Sequence, residues 1–151
     1  ADDTTPAKNL LAVSSWPPYP LPGGAVIPVG LRCESLCLLL QNYVHPLKNY
    51  IPNGEVVLRY ATGEPDIESL IPPYNLDAYY QPFARAGAEV PFGHIARIGF
   101  DWAFPTGMVR ANANALEIRC DPKRVLEAVE LRGTCSEGII GLAGLTAIAA
   151  E

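Results

Sequence analysis

The stretch from Phe92 to Cys120, FGHIARIGFDWAFPTGMVRANANALEIRC, constrains the fold more than any other part of the chain. Read as a strand, its first half alternates, with Ala96, Ile98, Phe100, Trp102 and Phe104 on one face and Arg97, Gly99, Asp101 and Ala103 on the other. Period-two alternation of this length belongs to a half-buried strand. Pro105-Thr106-Gly107 then turns the chain back. With Thr106 and Gly107 as the two loop residues, Phe104 faces Val109, Trp102 faces Ala111, Phe100 faces Ala113 and Ile98 faces Ala115, so that each large side chain meets a small or branched one. A three-residue loop would set Trp102 against Arg110 and Phe100 against Asn112, burying polar groups. Thr106 is not a residue that a type I′ turn favours, which keeps a type I turn with Gly107 in a bulge as the second form. Beyond Ala115 the parity reverses: Leu116, Ile118 and Cys120 become the apolar set while Glu117 and Arg119 turn outward. Such a slip implies a bulge, or a strand passing from one packed surface to another, as in sandwiches and barrels.

The rest of the chain is read around this hairpin. Residues 1–24 form an extended arm ending in WPPYPLPGG, where Pro17, Pro18, Pro20 and Pro22 favour polyproline II and remove backbone donors. Ala25–Val29 is a short strand with Pro28 at an edge or bend. Over 31–44 the stripe Leu36, Leu39, Leu40 and Tyr43 predicts a helix, stopped by Pro46. Asn53-Gly54 marks a turn, and Glu55–Ala61 a strand. From Thr62 to Pro91 prolines and glycines break every pattern, leaving room for helical turns at 65–71 and 75–80, the second capped by Asn75. Asp121-Pro122 resembles a capped helix start, with Val125, Leu126, Val129 and Leu131 supplying apolar positions before Gly133; this predicts a second helix near 122–132, with a strand as the rival. The apolar end, SEGIIGLAGLTAIAAE, fits a strand pair or a tail that needs a partner. The expected fold class is β-rich α+β: an antiparallel sheet, sandwich- or barrel-like, around the 94–120 hairpin, with residues 25–151 as one globular domain behind the arm.

A length of 151 residues allows a sizeable core, and 49% hydrophobic with 18% charged residues belongs to a globular chain. The net charge of −5 and the scattered basic residues speak against nucleic-acid binding through this chain. The longest apolar run, Gly138 to Ala150, is short of a membrane span, and no transmembrane segment is expected. The chain opens on Ala, and its one methionine is Met108, which is compatible with a processed secreted or lumenal, organellar or virion protein.

Candidate chemistry is sparse. The four cysteines permit two disulfides without requiring any; Cys120 and Cys135, flanking the second expected helix, are the pair that could be joined, and buried thiols are the alternative. Cys33, Cys37 and His45 could in principle share an ion, but two of them sit in the leucine-rich expected helix, where burial is the better account, and Glu64, Asp66 and Glu68 lack the spacing of a calcium loop. His94 falls on the opposite parity from Asp101, which argues against an acid–base pair, and none of the motifs for nucleotide, zinc or serine chemistry occurs. No catalytic, cofactor-binding or metal-binding residue is therefore assigned. Contact surface is better represented: Trp16, Tyr19 and Leu21 in the arm, and Tyr74, Tyr79, Tyr80 and Phe83 in the irregular loops. The expectation is a non-catalytic structural or interaction subunit of a larger assembly, virus-shell-like or a multisubunit complex, whose partners are protein subunits of the same or a different kind. A secreted or lumenal binding module held by a disulfide is the first alternative, and a small enzyme with an unadvertised site the second.

Overall fold

The computed structural model describes residues 10–43, 48–78, 89–90, 93–104 and 107–151, with side chains outside 89–112. Among the described residues there are nine strands and no helix: β1 (Leu11–Val13), β2 (Gly24–Asn42), β3 (Gly54–Tyr60), β4 (Asp66–Leu70), β5 (Glu89–Val90), β6 (Gly93–Phe104), β7 (Gly107–Arg119), β8 (Val125–Gly133) and β9 (Ile140–Ala149). They form one antiparallel sheet with the main path β4-β3-β8-β2-β7-β6-β5, and β9 with β1 branches from β2. The 19-residue β2 is the common member. Its first part bonds to β8, its second part to β7 and β9, and bulges interrupt its pairings between Pro28 and Leu31, Cys33 and Ser35, and Leu39 and Leu40.

Both expected helices are strands, and each error has a physical source. Over 31–44, Leu36, Leu38 and Leu40 are fully buried at a spacing of two. The leucine run LCLLL serves a helical stripe and a strand stripe equally well, and only neighbours choose between them. Here Leu36 lies between Ile118 and Ala147, and Leu38 between Leu116 and Leu145. A strand covered on both edges and both faces reads as continuously apolar rather than alternating. The helix expected near 122–132 is β8. Its i, i+3 pair Leu126 and Val129 comes from a bulge: Arg59 pairs with Ala128 and Tyr60 with Leu126, so Glu127 is an extra residue that lengthens the strand spacing from two to three. Asp121-Pro122 opens a turn instead of a helix, with Arg124 N donating to Asp121 O at 3.2 Å and Lys123 N to Asp121 Oδ1 at 2.9 Å. Asp at the first position and Pro at the second suit a β-turn as well as a helix cap. The helical turn read over 65–71 is the edge strand β4.

The hairpin is present, two residues out of the expected register. Phe104 pairs with Gly107, Trp102 with Val109, Phe100 with Ala111 and Ile98 with Ala113, leaving Pro105 and Thr106, not Thr106 and Gly107, as the connection. The same two sets of positions oppose each other as expected, because the register differs by two residues and not by one. The phase change near Ala115 is not a bulge, since β6 and β7 pair without interruption from Gly93 to Phe104. Ala113 and Asn114 are both buried, so β7 is covered on both faces there before Leu116 and Ile118 take over the core side. One hydrophobic cluster includes Leu36, Leu38 and Leu40 of β2, Val56 and Leu58 of β3, Leu116 and Ile118 of β7, Leu126 and Leu131 of β8, and Ile140 and Leu142 of β9. Burying one such leucine contributes about 2 kcal/mol, which makes β2 the strand with most to lose.

Candidate functional site

The segments before β3 and after β4 meet at one end of the sheet. Tyr50 N donates to Pro72 O at 2.6 Å and Asn53 N to Leu70 O at 2.8 Å, drawing residues 50–53 against 70–74. Tyr50 has φ 66°, a left-handed backbone that a bulky side chain rarely adopts, and the Pro72-Pro73 peptide is cis. The result is a surface of Tyr50, Ile51 and Tyr74 beside the two prolines. The tyrosine rings meet edge to face, centroids 6.0 Å apart at 66°. Tyr50 is 70% exposed, Ile51 48% and Tyr74 48%.

Beneath this surface is a layer of buried amides and carboxyls. Asn53, 1% exposed, donates through Nδ2 to Lys48 O at 2.8 Å and Ile51 O at 3.0 Å, accepts from Asn42 Nδ2 at 3.3 Å, and its carbonyl accepts from Thr134 N and Cys135 N. Asn75 works on the other segment. Its Oδ1 accepts from Ile71 N at 2.7 Å, and its Nδ2 donates to Ser69 O and to Glu68 Oε1, both at 2.8 Å. The side chain thus reaches back along β4 in the manner of a short partner strand, where the sequence had suggested a forward helix cap. Burial pushes the Glu68 carboxyl above its ordinary range, and the Asn75 hydrogen bond opposes that rise. Asp77 N donates to Asn114 Oδ1 at 2.9 Å, and Asn42 N to Asp77 O at 3.1 Å, which ties residues 75–78 to β7 and β2. Among the described residues every buried side-chain nitrogen and oxygen has a partner. This layer fastens the loops that carry the tyrosines.

The arm supplies a second aromatic pair. The Trp16 and Tyr19 rings meet at a tilt of 55°, centroids 4.9 Å apart, across a turn closed by Tyr19 N donating to Trp16 O at 3.1 Å. Residues 16–19 therefore turn instead of extending as polyproline II. Leu11–Val13 joins the sheet through β9, and Ser14, buried, donates to Gly138 O at 2.6 Å while Ser15 Oγ donates to Gly133 O. Tyr19 is exposed, whereas Trp16 and Leu21 are half-buried. Of the contact residues expected from sequence, Tyr74 joins the surface above, Trp16, Tyr19 and Leu21 stand apart on the arm, and Tyr79, Tyr80 and Phe83 lie outside the described residues. Tyr50 and Ile51 were missed. Their signal was an aromatic and a branched residue directly before Pro52-Asn53-Gly54.

The cysteines are all free, and the Cys120–Cys135 bond suggested by the sequence is not formed. The two thiols lie beyond opposite ends of β8, a strand of nine residues that spans about 30 Å. Burial pushes the Cys120 thiol up to about 12, and Cys33 beside it adds to the rise. His45 lies outside the described residues, and His94 sits in register with Glu117. Asp66 pairs with Arg124 at 3.4 Å while Glu68 is buried against Asn75, so the acidic residues of β4 are already engaged. Among the described residues no group of three or more metal-ligating side chains converges, and no helix is long and apolar enough to cross a membrane. Comparison with protein-family models, with curated proteins and with solved structures returned no match.

Proposed function

We propose that the chain is a non-catalytic structural subunit that joins a larger protein assembly, virus-shell-like or a multisubunit complex, through its exposed aromatic surface. The observation that carries this reading is the platform of Tyr50, Ile51 and Tyr74: solvent-facing side chains, Tyr50 among them on a left-handed backbone, above a buried polar layer whose described side-chain nitrogens and oxygens all have partners. A left-handed non-glycine residue costs on the order of 1 kcal/mol or more and persists where the surroundings hold it. Aromatic residues on a rigid exposed surface are what protein interfaces favour. The sheet is read as folded into two packed layers, a sandwich, because β2 passes from β8 to β7 and β9 across bulges while both groups feed one cluster.

The test is the native mass of the purified chain over a range of concentrations. Association that is weakened at least tenfold by the double change Tyr50→Ser, Tyr74→Ser supports the reading. A chain that stays monomeric at every concentration sinks it.

A further inference from the structure

The geometry points to the outer edge of β9 as a seam at which two copies of this chain pair strand to strand about a twofold axis through Thr146; this deepens the assembly reading and rests on it. β9 pairs with β2 from Ile140 to Ala149, with Ala143 as the extra residue of a bulge between Leu142 and Gly144. On its other edge β1 covers only Ile140, Gly141 and Leu142. From Ala143 to Ala149 that edge has no partner strand among the described residues. An open row of backbone donors and acceptors is a template for another strand, and proteins guard such rows with lysine, proline or inward charges. The sequence here is AGLTAIA, with none of these.

What selects a second copy as the occupant is the self-complementarity of those seven residues. Antiparallel pairing about Thr146, the middle of the open stretch, sets Leu145 against Ala147 of the second copy, Gly144 against its Ile148, and Ala143 against its Ala149. Every large side chain meets a small one, which is the preferred cross-strand arrangement. The faces also agree. Leu145 and Ala147 are half-buried against the core, while Gly144, Thr146 and Ile148 face solvent. Ile148, 43% exposed, has room to lie over Gly144, where an added Cβ would meet nothing nearer than the Leu39 Cβ at 3.9 Å. An apolar notch of about 360 Å³, lined by Leu10, Leu11, Ile27, Leu142 and Leu145 along with Ala143 and Gly144, opens where β1 stops. The second copy's Ile148 and Ala149 would arrive beside it. A contact of this kind is isologous and closes on itself.

The register gives a direct test. Thr146→Cys places two thiols opposite each other on the axis, whereas Ala143→Cys leaves its thiols about 20 Å apart. With diamide as the oxidant, the Thr146→Cys chain is expected to form a disulfide dimer at least tenfold faster than the Ala143→Cys chain or the unaltered chain with its four native thiols. Thr146→Lys, which puts two like charges on the axis, is expected to halve the mass of the smallest associated species while circular dichroism stays unchanged. Equal cross-linking rates at 146 and 143, or a native mass unmoved by Thr146→Lys, would overturn the seam and leave the assembly reading standing. A monomer at all concentrations would remove both. Dimers that appear only once residues 1–9 are deleted would assign the edge to the chain's own amino-terminal segment and also overturn the seam in the intact protein.

Discussion

β8 and β9 lie along the same long strand, β2, and their exposed positions are treated in opposite ways. β8 is bordered on both edges, by β3 and β2, and its solvent-facing side chains carry charge. Arg132 bonds to Glu130 at 2.6 Å and to Glu55 at 2.9 Å, and Arg59 reaches Glu130 from the neighbouring strand. At the start of β8, Arg124 stacks 3.7 Å above the Tyr60 ring and bonds to Asp121 at 2.8 Å. β9 has no charged residue at all, and among the described residues one of its edges is paired only at Ile140, Gly141 and Leu142. Of these two strands, the one paired on both edges carries the charge, and the one with a less covered edge carries none. β9's bareness is therefore not a general trait of this sheet's surface. On the proposed seam, a charge at this edge would be buried by the second copy.

Substitutions in the two strands should separate them. The largest effect is expected in β8: Leu131→Ala removes a fully buried side chain and should cost about 3 kcal/mol in chemical denaturation, while Leu145→Ala in β9, only half-buried, should cost roughly a third of that. Equal losses would show β9 to be as closed as β8. Asn75→Ala comes next. It leaves the Glu68 carboxyl, Ile71 N and Ser69 O without their partner and should cost about 2 kcal/mol. Glu68 also carries a pH signature. Its folded pKa is raised, so its contribution is fully present below the unfolded carboxylate value and is lost as pH rises through the folded one. Glu68→Gln should flatten that part of the stability–pH curve, and an unchanged curve would dismiss the buried acid as its source.

A smaller effect belongs to the ionic face. The guanidinium of Arg132, with that of Arg59 behind it, holds Glu130 down to about 2. A lowered carboxylate pKa stabilises the fold above the unfolded value near 4.5, and that share is lost as pH falls from there through about 2. After allowance for solvent screening, Glu130→Gln should cost about 1 kcal/mol at neutral pH and nothing near pH 2, read by thermal melts across that window. The smallest effect on stability, under about 0.5 kcal/mol, is expected for Ile148→Lys on the exposed face of β9. If the edge is a seam, this change should nonetheless weaken association far more than it weakens the fold.

Much of the sheet was legible in the chain. The alternation of Ala96 to Phe104 announced the hairpin, and the branched run after Asn53-Gly54 announced β3. The contact surface was legible only in part. Tyr74 stood out among loop aromatics, but Tyr50 joined it through a hydrogen bond from its backbone to Pro72, a partner 22 positions away along the chain. Nothing local marks such a closure.

The existence of the hairpin and which of its positions oppose each other could be read from the chain alone, because a period of two is a local property. The sequence also settled that β9 carries no charge. Tertiary structure decided the rest. LCLLL is a strand because β7 and β9 hydrogen-bond to both its edges, and the spacing of Leu126 and Val129 is a bulge because β3 and β2 pair around Glu127. Asn75 serves as a surrogate strand because β4 has no other neighbour beyond it among the described residues. In each case two segments far apart in sequence compete for the same backbone bonds, and only the folded sheet says which pairing wins.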